Sequence, residues 1–404
     1  MTHMQLNSDV LNRINYLVGT SEIVNSISDI SSKQLFDNSI IEFLNYTSKE
    51  IMKDSRSRMY SDVVTFAFWI RKSSIVKLNG KYNDEMQIKL GKGVAFHIAP
   101  SNVPVNFAYS LVSGLLTGNV NIVRVPSKEF PQVGIITDAL NKALIEYPEM
   151  RQYVLCIRYD RDKDINDLLS SLADVRIVWG GDQTISELRK SPLQPRAGEI
   201  TFADRYSLAV IDSDRYMDIE DKERVAEDFY NDTFLTDQNA CTSPRIVVWT
   251  GSQKQEAKKV FWDNEYRLVK KKYTFQSIQG VNKLTKAFLA AAEQFGVKIL
   301  ERKDNLIVRV AVLNVTEKLM EYRDNSGYFY EYDCDDIMSI APLCKDNRCQ
   351  TLGYIGDKEM FLPLLISGVK GIDRVVPIGK TMDFDLIWDG YNLPALLTRT
   401  IVME

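Results

Sequence analysis

Histidine is almost absent from this chain of 404 residues: it has two, alongside five cysteines. That excludes a histidine-rich metal centre, and a disulfide scaffold is not expected at so low a cysteine density. Cys334, Cys344 and Cys349 lack a Cys-x-x-Cys spacing and have no histidine in their segment, so a zinc site is not expected either. No stretch reaches the ~18 uninterrupted apolar residues that a membrane span needs. Met1–Val10 lacks the basic start and apolar run of a secretory leader. An excess of basic charge is also missing. Lys and Arg number 50 against 54 Asp and Glu, a net charge of −4, which argues against a nucleic-acid partner. Gly-x-Gly-x-x-Gly occurs nowhere, so the ordinary dinucleotide fingerprint is absent. What the chain does hold is 45% hydrophobic and 26% charged residues, the balance of a folded globular protein. The composition predicts a soluble, cytoplasmic α/β protein of two domains, or one large unit with an added lobe.

The first ninety residues read as helical. Leu35, Phe36, Ile40, Ile41, Phe43 and Leu44 form one apolar face and Val63 to Trp69 another, with a solvated helix end over Lys49 to Arg58 between them. From Gly91 short apolar runs alternate with helical patterns. Strands are predicted at Val94 to Ala99, Asn121 to Val125, Tyr153 to Tyr159 and Val175 to Trp179. Helices fall at Val103 to Leu116, with Pro104 in the first turn, at Val133 to Tyr147 and at Ile165 to Leu172. This alternation predicts a doubly wound parallel sheet, whose ligands lie beyond the C-terminal ends of its strands. Ser191 to Gly198 carries two prolines and a glycine and reads as a loop or domain edge. Further strands are expected at Ser207 to Ile211, Ile246 to Trp249, Leu306 to Leu313, Thr351 to Ile355 and Arg374 to Ile378, with helices at Ile219 to Phe234 and Gln253 to Tyr273.

Few residues can carry chemistry. Cys241 sits among small and amide residues in DQNACTSPR, between a helix and a strand. Backbone N–H groups at such a turn lower a thiol pKa, and small neighbours leave room for an acyl group. A buried structural cysteine would occupy the same segment equally well. Cys156 lies mid-strand and reads as core. His97 lies on the first predicted sheet strand and reads as a hydrogen-bonded core histidine, with a Cys–His dyad as the sharper alternative. Asn102 follows Pro100 and Ser101 at a strand end, where its amide can donate to an oxyanion or serve as a turn or N-cap residue. Gly180-Gly181 after a strand is a weak substitute for a dinucleotide loop. Lys270-Lys271-Lys272, with Lys258 and Lys259, reads as a solvated helix face, with contact to coenzyme phosphates as the alternative.

Four blocks occur in order: HIAPSNVPVNFAYSLVSGLLTGNVNIVRVPS, VWGGDQTI, DQNACTSPR and DFDLIWDGYNLPALLTR. Together they resemble the acyl-CoA reductase family, of the bacterial-luminescence fatty-acid reductase type, within the aldehyde dehydrogenase superfamily. The resemblance covers roughly Gly91 to Ile401. It implies an aldehyde-dehydrogenase-like fold, with a doubly wound parallel-sheet cofactor domain and an α/β catalytic domain. The divisions it suggests are 1–202, 203–380, and a segment 381–404 returning to the cofactor domain or to an oligomer contact. Cys241 matches the nucleophile that takes the acyl group as a thioester, and Asn102 the oxyanion-hole asparagine. Gly180 and Gly181 match the loop passing the cofactor near the nicotinamide, and Ser101 joins the cofactor contacts. Arg124 takes the place of a lysine that contacts the adenosine ribose. Ser127 stands where NAD-preferring relatives have a glutamate. A carboxylate there would repel a 2′-phosphate, whereas Ser127 between Arg124 and Lys128 would accept it, so NADPH is the expected cofactor.

The chain also departs from the superfamily pattern. Aldehyde-oxidising members place a general-base glutamate in a Glu-Leu-Gly-Gly-Lys sequence, and Glu199-Ile200-Thr201-Phe202-Ala203-Asp204 holds no such motif. Without a base to activate water, release of a free acid is disfavoured and reduction fits better. Arg245 follows Cys241 by four residues where many dehydrogenases keep five, so no role is carried to it. The resemblance therefore implies NADPH-dependent reduction of an acyl thioester, expected to be fatty, to the aldehyde through an acyl-cysteine. The donor would be acyl-CoA or an acyl-carrying protein, with a homo-oligomer left open. The alternatives are aldehyde oxidation, acyl-phosphate reduction, or a non-catalytic acyl-binding subunit. With 404 residues, the chain is short for the superfamily, and a reduced peripheral segment is expected.

Overall fold

A computed structural model of the chain describes residues 8–84 and 86–403. The first seven residues of the Met1–Val10 stretch read above thus lie outside the described ones. The chain divides into two compact units: one runs to Ala203 and takes back the segment from Asp385, and the other spans Asp204–Phe384.

In the first unit the strands are β1 (Asn15–Val18), β2 (Ile88–Gly91), β3 (Val94–Ile98), β4 (Val120–Arg124), β5 (Val154–Arg158), β6 (Val175–Trp179) and β7 (Gly198–Phe202). Six of them form one sheet in the order β1-β5-β4-β3-β6-β7. All neighbours are parallel except β1, which pairs antiparallel with β5. β4 and β5 add on one side of β3, β6 and β7 on the other, so the winding reverses at β3. All five residues of β3 are buried, as a strand covered on both faces requires. The crossover helices are Asn106–Leu116, Pro131–Glu146, Lys163–Leu172 and Asp182–Leu188. Pro131 opens its helix, where its missing N–H costs nothing. The Asp162 carboxylate caps another by accepting from the N–H groups of Asp164 and Ile165.

Two expectations need correction here. The helix predicted from Val103 starts at Asn106, because a proline disfavours helical backbone in the residue before it, and Pro104 does so at Val103. Lys49 to Arg58 is not a wholly solvated end. The helix Asn38–Lys53 buries Glu50 and Ile51, and Ser57 turns inward to donate to the Ile51 carbonyl at 2.6 Å. The Pro- and Gly-bearing stretch is a loop over 191–197, as expected, and leads directly into edge strand β7, which begins at Gly198 and pairs with β6.

The second unit holds β8 (Tyr206–Asp212), β9 (Pro244–Thr250), β10 (Val297–Ile299), β11 (Val308–Val312), β12 (Tyr328–Asp333), β13 (Cys349–Ile355) and β14 (Arg374–Pro377). They form one sheet in the order β10-β11-β12-β9-β8-β13-β14. Only β10 is antiparallel to its neighbour. One face carries an aromatic cluster in which Phe229, Trp249 and Trp262 meet Phe261 or one another edge to face at centroid distances of 5.0–6.0 Å. Elements absent from the sequence reading include β10, β12 and the helix Ser277–Glu293. That helix turns Gly280, Lys283, Ala287 and Ala290 inward and leaves Ile278, Val281, Phe288 and Leu289 exposed. It inverts the apolar stripe on which periodicity depends.

The C-terminal segment belongs to the first unit. β15 (Ile387–Trp388) and β16 (Tyr391–Asn392) form a hairpin, and β17 (Thr398–Ile401) pairs antiparallel with β2. The Asn119 amide donates to the Leu397 carbonyl at 3.0 Å. Tyr391 meets the Phe202 ring edge-on at 5.5 Å. Among the described residues no helix is long and apolar enough to cross a membrane, and no group of His, Cys, Asp and Glu could hold a metal ion.

A turn after β14 closes the second unit. The buried Asp232 carboxylate, at the end of helix Lys222–Asp232, accepts from Gly379 N at 2.6 Å and Thr381 N at 3.1 Å. The Arg374 guanidinium donates to the carbonyls of Thr381 and Asp383 at 3.1 and 3.0 Å. Burial pushes the Asp232 carboxyl up to about 7, with the Asp383 charge adding to the rise and the two backbone donors opposing it. A carboxyl raised in the folded chain favours the protonated form. Its contribution to stability is therefore full below the ordinary value of 3.8 and is lost as pH rises through about 7. In thermal melts, Asp232→Asn is expected to gain several degrees on the parent chain between about pH 5 and about pH 8. A Tm difference that stays constant across that range would refute the assignment.

Candidate active site

Cys241 lies in the turn that ends at β9. It is partly exposed, whereas Cys156, Cys334, Cys344 and Cys349 are buried. Burial raises the Cys156 thiol to about 12, as expected of a core residue. The backbone leading to Cys241 is unusual: Asp237 and Gln238 both adopt left-handed conformations, with φ of 52° and 58°. Two devices hold it there. The first is the buried Gln238 side chain. Its amide nitrogen donates to the carbonyls of Pro244 and Tyr328 at 2.9 and 3.0 Å. Its oxygen accepts from Gly327 N and Tyr328 N at 3.0 and 3.2 Å. One side chain thereby satisfies backbone groups at the start of β9 and of β12 that would otherwise be buried without partners. Gly327 has a φ of 89°, and a Cβ there would meet the Leu306 carbonyl at 2.6 Å.

The second device is Arg245, the second residue of β9. Its guanidinium donates to the Gln238 carbonyl at 2.8 Å and to the Asp324 carbonyl and Asn325 Oδ1 at 2.7 Å each. Around these bonds, Ser326 N donates to the Asp237 carbonyl at 3.0 Å. The buried Lys283 ammonium donates to the carbonyls of Ser326 and Leu306 at 2.6 and 2.8 Å, and burial lowers its pKa to about 7. On the other side, Ser207 Oγ of β8 donates to the Cys241 carbonyl at 2.7 Å. Thr242 Oγ1 lies 3.1 Å from Met382 Sδ. Sequence reasoning missed Gln238 and, on its spacing from Cys241, gave Arg245 no role. The signal available was a glutamine and an arginine, each within four residues of the thiol, in a segment otherwise made of small residues.

In the first unit, the predicted cofactor residues gather at the C-terminal edge of the sheet. Ser101 and Asn102 follow β3 and are both exposed. Arg124 ends β4 with its guanidinium carbon 4.4 Å from the Tyr159 ring centroid, and donates to the Tyr159 carbonyl at 3.2 Å. Ser127 and Lys128 are exposed beyond it, the Lys128 ammonium 5.1 Å over the Phe130 ring. Gly180 and Gly181 follow β6. A Cβ on Gly180 would meet Thr184 at 3.2 Å, whereas Gly181 faces open space.

His97 is not placed to serve a thiol. It is buried in β3, with its ring nitrogens 2.7 Å from Ser110 Oγ and 3.0 Å from Asn121 Oδ1. Burial lowers its pKa to about 4. A Cβ on Gly114 would collide with Asn121 Oδ1 at 1.8 Å, so the network needs that glycine. Glu199 is not placed to serve as a base. It sits on β7 in ion pairs with Arg176 at 2.5 Å and Arg189 at 2.8 Å. Burial raises its pKa, but the two guanidinium groups outweigh this and hold it below the ordinary carboxylate range. Of the basic helix face, Lys259, Lys270, Lys271 and Lys272 are exposed, as the solvated reading expects, whereas Lys258 is largely covered and paired with Asp333.

The chain is 25% identical over 298 residues to a long-chain acyl-protein thioester reductase of Aliivibrio fischeri, covering 72% of this chain and 60% of that protein. It is 23% identical over 321 residues to a protein of the same description from Photorhabdus laumondii, covering 74% and 61%. The chain thus spans about three-fifths of the length of these relatives. Among solved structures, an indole-3-acetaldehyde dehydrogenase from P. syringae superposes with a TM-score of 0.65 at 11% identity, covering 98% of this chain and 87% of that one. A Thermus thermophilus 1-pyrroline-5-carboxylate dehydrogenase gives 0.63 at 11%, covering 98% and 84%. The fold is therefore that of the aldehyde dehydrogenases. The family model described as acyl-CoA reductase (LuxC) matches residues 25–399, beginning well before the Gly91 at which the recognisable motifs start. With that extent of match, the chain belongs to the acyl-CoA reductase (LuxC) family.

Proposed function

We propose that this chain is a cytoplasmic, NADPH-dependent reductase that converts a long-chain acyl thioester to the aldehyde through an acyl-Cys241 intermediate. The observation that carries this reading is that one cysteine of five, Cys241, is partly exposed, on a turn fixed by hydrogen bonds rather than in a core. The named relatives act on acyl-protein thioesters, and the donor proposed here is an acyl group on a carrier protein or on coenzyme A. The Cys241 thiolate attacks the carbonyl carbon and expels the carrier thiol. The Cys241 N–H donates to the oxyanion of each tetrahedral adduct, a role that the family resemblance also gives to the Asn102 amide. When bound, NADPH supplies the hydride. Collapse of the resulting hemithioacetal releases the aldehyde and returns the thiol. The pairing of Glu199 with two arginines supports reduction over hydrolysis, since a carboxylate so held is a poor base for activating water.

The residues of the first unit suit a phosphorylated cofactor. Arg124 is braced by Tyr159, and Ser127 and Lys128 present an uncharged hydroxyl and an ammonium to solvent. Arg124 and Lys128 would hold the 2′-phosphate, while Gly180 and Gly181, with Ser101, would let the remaining backbone approach the dinucleotide.

Intact-mass measurement after incubation with acyl-CoAs of several chain lengths is expected to show one acyl adduct, which NADPH discharges as aldehyde. Cys241→Ala should form none, and an adduct that survives in that variant would sink the mechanism. A second expectation concerns the cofactor. Ser127→Glu should lower kcat/KM for NADPH about tenfold or more, while leaving NADH nearly unaffected. Equal effects on both cofactors would remove Ser127 from the 2′-phosphate site.

A further inference from the structure

Arg245 presents an unusual combination: a buried cation whose hydrogen bonds go only to neutral acceptors. The residue is 6% exposed. Its acceptors are the carbonyls of Gln238 and Asp324 and the amide oxygen of Asn325, and its Nε is buried with no hydrogen-bond partner. A guanidinium taken out of water normally recovers the cost through a paired carboxylate. Here the nearby acids stand off: Asp204 pairs with Arg323, and Asp324 offers its backbone carbonyl. The charged side chains in electrostatic reach are Arg323, Asp204, Asp324 and, when ionised, Cys241. Burial brings the Arg245 pKa down to about 10, the neighbouring Arg323 lowers it further, and the charges of Cys241, Asp204 and Asp324 oppose the fall. Once Cys241 ionises, it adds a counter-charge that none of the hydrogen-bond acceptors of the guanidinium supplies.

We infer that Arg245 is a positioning residue with two effects on the nucleophile: it fixes the turn that presents Cys241, and its charge stabilises the Cys241 thiolate. The inference rests on the reading of Cys241 as the acyl acceptor. The geometric effect follows from its bond to the Gln238 carbonyl, which ties the left-handed pair Asp237–Gln238 to β9 and to the Asp324–Asn325 segment. The electrostatic effect follows from low-dielectric surroundings, in which a cation lowers the pKa of a neighbouring acid more than it would in water. The charged groups around this pair are Arg323, Asp204 and Asp324. Asp237 on the same turn faces away, accepting from the Tyr273 hydroxyl at 2.5 Å.

The experiment follows the rate of Cys241 alkylation by iodoacetamide against pH in the full chain, located by mass, with Cys241→Ala as background. Arg245→Lys keeps the charge and should leave the midpoint close to the parent value. Arg245→Met removes it and should move the midpoint up by about one pH unit or more. In that variant aldehyde formation should fall at neutral pH and recover as pH rises. Asn325→Asp sets a carboxylate against the guanidinium without removing it, and should also raise the midpoint. This variant decides the matter if Arg245→Met does not fold. Unchanged midpoints in Asn325→Asp and in a folded Arg245→Met would overturn the inference. Alkylation does not require turnover, so a failure of acyl reduction with the midpoint shifts intact would count against the proposed function and not against the role of Arg245.

Discussion

The Cys241 turn depends on one buried amide. Gln238 donates to two backbone carbonyls and accepts from two backbone N–H groups, so both ends of its side chain are fully used. Those four groups belong to the ends of β9 and β12 and to the residue before β12, where sheet pairing runs out. Without the amide they would face a dry interior, at about 1–3 kcal/mol for each unsatisfied group. The left-handed backbone at Asp237 and Gln238 is the strained solution that lets the side chain reach them. Arg245 then bonds the Gln238 carbonyl, Ser326 bonds that of Asp237, and Lys283 holds Ser326. The position of the thiol is thus a property of two loops fastened to each other.

Much of this molecule was legible in its sequence because parallel sheets leave strong traces. β6 was read with its observed bounds, and β3, β4 and β9 to within three residues at either end, because strands covered on both faces are runs of apolar residues. The turn residues at the ends of β3, β4 and β6 followed from the same alternation. The misses also have physical causes. β12 reads Tyr-Phe-Tyr-Glu-Tyr-Asp, and its charged Glu331, buried with Arg309 at 3.1 Å, interrupts the apolar run. β1 is an edge strand of four residues that its antiparallel partner defines more than its own composition does. Arg245 was set aside because its spacing from the cysteine differs from the dehydrogenase pattern, yet its burial and bonding depend on the loop that includes Asp324, some eighty residues away. Contacts of that range have no local signature.

The two polar residues most open to overinterpretation, His97 and Glu199, are both structural. Each is a titratable group held in one protonation state by its neighbours: His97 neutral by burial between Ser110 and Asn121, Glu199 ionised by two guanidinium groups. A chain with two histidines in effect withdraws one of them from acid–base chemistry. What surrounds Cys241 in its own unit is the Gln238 amide, committed to the backbone, and the buried cations Arg245 and Lys283. That set suits the handling of negative charge on sulfur and oxygen, and it has little with which to activate water.

The helix Ser277–Glu293 separates two properties that usually travel together. Its fully buried positions are two alanines, a glycine and a lysine, with Leu284 half-buried beside them, so the interior gains only modest apolar area from it. Its outward side carries Ile278, Val281, Phe288 and Leu289, and Phe295 follows at 93% exposure. Polar replacements on that outward side would therefore cost the folded state little, while changing how concentrated solutions of the protein behave. The colloidal properties of this chain and its conformational stability are written on opposite sides of one helix.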